Sequence, residues 1–274
     1  MLDLEQSSVD QAIVSDALRV VETAEKRGVV LRLLGALAIA LHSKDFIDLQ
    51  RSLKRLGDAG RTFTDIDLIG YGKQRVHVRE VMEDALGYSV DQNVLLFRGK
   101  ERLLYRHPGN LYQIDIFFDN LKFSHDIAFG TDPSKGRLRL DYPTISPTDL
   151  VLEKLQIHSI SEKDLKDMIV LLRAHNLGLS DNQERIDTRY VAVVLSDDWG
   201  FWKDATTNLR DVVSYGEKYL AEGMISTPDF SDVSNKVARI IETVDREPKT
   251  LKWKLRQRTG ETKEWWNSVE DVSR

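Results

Sequence analysis

Arg61-Thr62-Phe63-Thr64-Asp65-Ile66-Asp67-Leu68-Ile69 is the stretch on which the reading of this chain turns. Ile66, Leu68 and Ile69 are apolar and β-prone, so the stretch reads as a loop running into a strand. Asp65 and Asp67 lie two apart, which on an extended chain sends both carboxylates out of the same face. Like charges that close repel unless something cationic sits between them. A hard divalent ion with oxygen ligands, such as Mg²⁺, answers that need. Taken alone, a D-x-D is more often a polar strand face in water, so the flanking sequence has to decide.

Upstream, residues 10–27 carry Ile13, Ala17, Leu18, Val20, Val21 and Ala24 at helical spacing, and Gly28 stops them. Val29 to Leu34 follows as a short buried strand. Gly35-Ala36-Leu37-Ala38-Ile39-Ala40-Leu41-His42 then reads as a helix that begins on a glycine. A strand, a tight glycine turn and a helix N-terminus bring backbone N–H groups within reach of a phosphate. The plain alternative is a packing turn. Residues 44–60 read as a helical insertion of mixed charge. Downstream, residues 74–86 form a second amphipathic helix. Val94-Leu95-Leu96-Phe97 and Arg102-Leu103-Leu104-Tyr105 read as a hairpin around Arg98-Gly99-Lys100-Glu101. In Gln113-Ile114-Asp115-Ile116-Phe117-Phe118, Asp115 interrupts a β-prone apolar run, a costly placement unless a cation or hydrogen bonds satisfy it. Asp119 is read as a turn residue.

Past Tyr142-Pro143 the pattern becomes helical. Ser146-Pro147 opens one helix and Ser161 opens another. Further helices cover residues 190–221 and 232–246, and a basic tail holds Lys249, Lys252, Lys254, Arg256 and Arg258 around Trp253. The expected division is an α/β domain over residues 1–142 and a helical domain over 143–274. His125 and His158 have no metal-ligand spacing and are read as structural; Trp199 and Trp202 are read as core.

Composition bounds the rest. The chain has 274 residues, 41% hydrophobic and 30% charged, which places it among globular proteins with a sizeable core. No apolar run is long enough to span a bilayer, so no membrane partner is expected. The acidic start, Met1 to Glu5, lacks a signal-peptide pattern. There is no cysteine, which excludes disulfides and thiol catalysis and favours a cytoplasmic setting. A formal charge of −5 argues against a general nucleic-acid coat, although a local basic patch such as the tail could grip RNA.

The order h-G-x, D-x-D, h-D-h resembles the nucleotidyltransferase superfamily that includes DNA polymerase β. Within it, Gly35-Ala36-Leu37-Ala38-Ile39 and Arg61-x-x-x-Asp65-Ile66-Asp67-Leu68 look most like the toxin nucleotidyltransferases of type IV abortive-infection systems. Leu152-Glu153-Lys154-Leu155 and Lys163-Asp164-Leu165-Lys166-Asp167 match two further motifs of that group. The likeness covers about residues 29–172. Two positions depart from it: Ala36 stands at a family glycine and Leu37 at a family hydroxyl residue, which removes a side-chain donor to a triphosphate.

The resemblance implies an α+β fold, a nucleotidyltransferase-like mixed sheet flanked by helices and followed by an all-helical C-terminal domain. It implies transfer of an NMP from an NTP donor to an acceptor hydroxyl on a tRNA end, a protein or a small molecule, with release of pyrophosphate. Asp65, Asp67 and Asp115 would hold Mg²⁺, with Asp115 also taking a proton. Gly35, Ala36, Arg61, Lys154 and Asp164 would meet the nucleotide, Lys154 as a charge for the outgoing phosphates. A toxin of this kind would have an antitoxin protein as partner. The alternative is a catalytically inactive member kept as a binding or regulatory module, which Leu37 favours.

Overall fold

The structure, a computed structural model, describes residues 8–57, 61–180 and 184–268. The acidic start, the end of the 44–60 segment and the last residues of the basic tail lie outside the described residues. The chain divides into two compact units. The first takes the described parts of Met1–Leu41, Leu56–Leu121 and Ala128–Ser146; the second takes His42–Arg55, Lys122–Ile127 and Pro147–Arg274. The first unit therefore ends at Ser146, and two short upstream segments belong with the helical part.

The first unit is built on a five-stranded mixed sheet. Its strands are β1 (Leu31–Leu34), β2 (Ile66–Gly70), β3 (Ser89–Val90), β4 (Arg102–Arg106) and β5 (Gln113–Phe118), in the order β1-β2-β5-β4-β3. β2 runs parallel to β5, and the other pairs are antiparallel. β5 is thus central, and the strict alternation of its sequence follows. Ile114 and Ile116 are fully buried on one face, while Asp115 and Phe117 take the other. The outer edge of β1 is covered by residues 143–145: Leu33 N–H donates to Pro143 O (3.0 Å) and Ile145 N–H to Leu33 O (2.9 Å), which removes an open ladder.

Helix α1 (Ser8–Lys26) buries Ile13, Ala17, Val20, Val21 and Ala24, the apolar stripe its spacing foretold. Helix α2 (Gly35–His42) follows β1 without a linker. The amphipathic segment after β2 is helical over Arg75–Arg79 and continues as a π-helical turn, Glu80–Ala85. Asp119 keeps the turn role expected of it: its Oδ1 accepts the Gly72 N–H at 3.0 Å.

One local expectation is overturned. Val94 to Phe97 is not the first strand of a hairpin but part of a helix, Gln92–Arg98. Asp91 caps it, accepting the N–H groups of Asn93 (3.0 Å) and Val94 (3.2 Å). The cap satisfies donors that a strand would have given to a neighbour, and it outweighs the β-propensity of a four-residue apolar run. Leu96 and Phe97 end up exposed as a result.

The second unit is helical, as expected, with helices Pro147–Leu155, Glu162–Ala174, Thr188–Asp197, Trp199–Ala221, Thr227–Arg246 and Leu251–Thr259. A short helix, Ile47–Leu53, comes from the upstream insertion. A two-stranded parallel ribbon, Asn176–Gly178 against Arg185–Asp187, was not foreseen. Trp199 and Trp253 are buried, and Trp202 stands edge-on to Trp253 at 5.2 Å, so the tryptophans serve packing.

Tyr71 sets a test of the first unit. Its ring is fully buried and its hydroxyl accepts the Leu138 N–H at 3.1 Å. Tyr71→Phe leaves that buried N–H unsatisfied, and we expect a loss of about 1–2 kcal/mol. Urea unfolding should show a lower midpoint at unchanged slope; an unchanged midpoint would mean that this bond contributes nothing.

Candidate functional site

Strand register assembles the acids. β2 lies parallel to β5 with Asp67 opposite Asp115 and Ile66 opposite Ile114. In-register neighbours share a sheet face, and Asp65, two residues before Asp67, exits on that same face. Burial is the main cause that raises the Asp115 carboxyl, and the Asp65 charge adds a smaller push, so the two lie within electrostatic reach. The three acids grade from exposed (Asp65) through half-buried (Asp67) to buried (Asp115).

The glycine bend sits against this cluster. β1 pairs with β2 so that Leu34 is opposite Asp67, and the next residue, Gly35, opens helix α2 with φ of +72°. A Cβ placed on Gly35 would come within 3.0 Å of Asp67 Oδ2. Both the left-handed backbone and the close approach therefore require glycine here. Ala36, the next residue, is half-buried and Leu37 is buried. The hydroxyl missing at position 37 is thus replaced by a core side chain.

Two features position the acids and were not read from sequence. The first is Asp10, 1% exposed on α1. Its carboxylate accepts the N–H groups of Thr62 (2.9 Å) and Phe63 (3.1 Å) and so pins the loop that leads into Asp65. The second is Arg102 on β4. Its Nε lies 2.7 and 2.9 Å from the two Asp115 oxygens, and its Nη2 also meets Oδ2. The guanidinium stacks over Phe117 at 5.2 Å. It is the counter-charge that a buried acid needs. Even so, burial pushes the Asp115 carboxyl above the ordinary carboxylate range, against the pull of Arg102. Arg61 is half-buried, and its Nε has no hydrogen-bond partner among the described residues.

Lys154, Asp164 and Asp167 belong to the second unit. The Lys154 ammonium is 2.8 Å from Asp164 Oδ1 and 3.1 Å from Asp167 Oδ2, with only 6% of its side chain exposed. Arg55 Nε holds the other Asp167 oxygen at 2.8 Å, and Ser161 donates to Asp164. Burial alone would lower the Lys154 pKa, but Asp167 and Asp164 outweigh it and hold the ammonium charged. Lys154 in return overcomes burial at Asp164 and holds that carboxyl below its usual range. The arrangement joins helices Pro147–Leu155 and Glu162–Ala174 by buried charge.

His125 and His158, read as structural, both sit on Asp204, at 2.8 Å and 3.0 Å, with Trp265 donating to the same carboxylate at 2.9 Å. In the basic tail, Lys249 donates to Ser196 Oγ and Glu247 O (3.0 Å each), and Lys252 pairs with Asp197 at 3.3 Å.

The donor set of the acid cluster is all oxygen. Its open end at Asp65 and half-open middle at Asp67 fit a hard divalent cation; Asp115 is the member already held by a cation, Arg102.

No protein-family model and no curated protein matches this chain. Among solved structures it is similar to the crystal structure of an antigenic nucleotidyltransferase-like protein from Paracoccidioides brasiliensis, at 12% identity and a TM-score of 0.40, over 89% of this chain and 96% of that one. A likeness at that level carries no functional inference.

The buried charge cluster of the second unit predicts a pH-dependent stability. Removing one partner from a buried ion pair costs about 3 kcal/mol, so Lys154→Met should lose about that much at pH 7. The folded-state pKa of Asp164 is depressed, so its contribution is present above the ordinary aspartate value of about 4 and is lost as pH falls through the folded value. Wild-type and Lys154→Met stabilities should therefore converge below about pH 4. A gap that stays constant from pH 7 to pH 3 would contradict the ion-pair assignment.

Proposed function

We propose that this chain is a Mg²⁺-dependent nucleotidyltransferase, moving a nucleoside monophosphate from an NTP to an acceptor hydroxyl. The observation that carries the reading is the register of β2 on β5, which sets Asp67 beside Asp115, next to a glycine bend that Asp67 Oδ2 nearly fills. Two acids on neighbouring strands, a third just upstream of β2, and a glycine turn against Asp67 support the reading that the order of motifs implies.

In this reading Asp65 and Asp67 hold the ion through their carboxylates. Mg²⁺ bound there would neutralise the triphosphate and the charge that develops on the departing pyrophosphate. The backbone N–H groups at Gly35 and Ala36 would receive phosphate oxygens, supported by the α2 dipole. The acceptor oxygen forms its bond to the α-phosphorus, the α–β bridge bond breaks, and pyrophosphate leaves. The hydroxyl proton goes to Asp115, whose raised pKa makes it a stronger base than an ordinary aspartate. Arg102 fixes the direction of the Asp115 oxygens. Nucleotide contacts by Arg61, Lys154 and Asp164 are separate proposals carried by the motif resemblance alone, as are the toxin role and the antitoxin partner.

A second reading has its own observation. Arg102 already supplies a positive charge to the acid cluster, as a protein that had given up its metal would do. Such a chain would be a binding or regulatory module. Thermal shift separates the two readings: Mg²⁺ with an NTP stabilises a nucleotide-binding site by mass action, and no shift with any of the four nucleotides at millimolar concentration favours the module.

The activity is tested with each α-labelled NTP, Mg²⁺ and total cellular RNA or protein as acceptor. Wild type should transfer label, and Asp65→Asn with Asp67→Asn should reduce transfer by about two orders of magnitude or more. Equal transfer by the two proteins would remove the acids from the chemistry.

A further inference from the structure

The second unit contains a group that the nucleotidyl reading does not use. His42 is the last residue of α2, His175 follows the helix Glu162–Ala174 directly, and Glu184 stands just before the ribbon strand Arg185–Asp187. The ribbon explains part of their meeting. Asn176 pairs with Arg185, so the residues before each, His175 and Glu184, are brought side by side. His42 arrives from far upstream in the chain.

The donor atoms converge. His42 Nδ1 is 2.9 Å from Glu184 Oε2, and His175 Nδ1 is 3.3 Å from the same oxygen. One donor atom from each residue lies within 4.8 Å of the other two. The edge of a tetrahedron around a zinc ion with bonds of about 2.0–2.1 Å is about 3.3 Å long, and the 2.9 Å between His42 Nδ1 and Glu184 Oε2 is close to that spacing. The two imidazoles meet edge to face, with centroids 5.5 Å apart.

Hydrogen bonds alone do not complete the group. His175 is 2% exposed. Its Nδ1 lies 3.0 Å from the Glu184 carbonyl oxygen, and its Nε2 is buried with no hydrogen-bond partner among the described residues. In either tautomer one nitrogen is left unsatisfied, as a lone pair or as a bare N–H. Ligating histidines commonly donate their second N–H to a backbone carbonyl; with Nδ1–H given to the Glu184 carbonyl, the buried Nε2 of His175 is the atom left for an ion.

We propose that His42, His175 and Glu184 form a divalent transition-metal site, distinct from the acid cluster of the first unit. Two imidazoles and one carboxylate select a borderline ion, of which Zn²⁺ is the representative, over Mg²⁺ or Ca²⁺. Three protein ligands leave a fourth position for water or a small ligand. Bound metal ties His42 to the ribbon and to the end of the helix before it.

The test uses untagged full-length protein stripped with chelator and dialysed free of it. Zn²⁺ is titrated calorimetrically, Co²⁺ is followed by its visible absorption, and melting temperature is recorded against metal concentration. The proposal expects one equivalent bound at this site, a melting temperature that climbs with Zn²⁺ and a Co²⁺ spectrum of nitrogen–oxygen ligation. Glu184→Gln changes an exposed side chain and should fold; it and His42→Asn should each weaken Zn²⁺ binding at least about tenfold. Asp65→Asn with Asp67→Asn should leave Zn²⁺ binding unchanged, which separates this site from the proposed Mg²⁺ site. No uptake of Zn²⁺ or Co²⁺, or equal Zn²⁺ affinity in wild type, Glu184→Gln and His42→Asn, would overturn the assignment.

Discussion

Two carboxylates placed opposite each other on neighbouring strands cannot both stay ionised without a positive charge close by. That constraint organises the first unit. The parallel pairing of β2 and β5 sets Asp67 against Asp115, and the sequence between them supplies the crossover that makes the pairing parallel. Every other feature of the site answers the resulting charge. Arg102 comes from β4 to grip Asp115. Asp67 turns toward the bend at Gly35. Asp65 stays at the solvent edge, on a loop that Asp10 holds in place. The gradient from buried to exposed means that the cluster is neutralised by protein at its inner end and open to an added cation at its outer end.

The same physics appears in the second unit with a different outcome. Lys154, Asp164, Asp167 and Arg55 form a closed set in which each charge faces an opposite one. The result is a brace between two helices. Around His42, His175 and Glu184 the Nε2 of His175 is buried without a hydrogen-bond partner among the described residues. Whether a polar cluster braces or binds depends on that balance, which composition alone does not reveal.

Much of the fold could be read locally. Helix stripes such as Ile13, Ala17, Val20 and Val21 and the glycine opening of α2 are set by near neighbours in the chain, and both came through intact. The pairing that sets Asp67 opposite Asp115 joins two strands whose alternation was visible in the chain, because strand periodicity fixes which residues share a face. What escaped depends on partners remote in sequence or on competition between weak local signals. Arg102 looks like any strand arginine until β4 is laid beside β5. Asp10 looks like a helix-terminal acid until a loop some fifty residues away donates to it. Val94 to Phe97 has a strand's composition, but one capping aspartate decided for helix. His42, His175 and Glu184 have no motif spacing at all, since three element ends produce their meeting.

The central claim is that the outer acids of the first unit hold a divalent ion against a triphosphate. The most direct measurement is anomalous diffraction from crystals soaked with Mn²⁺ and a non-hydrolysable NTP analogue. The account predicts a Mn²⁺ peak bonded to the carboxylates of Asp65 and Asp67, with triphosphate density at the Gly35 bend. Triphosphate and metal both absent from that face, or Asp65 and Asp67 unligated while the ion binds elsewhere, would contradict it.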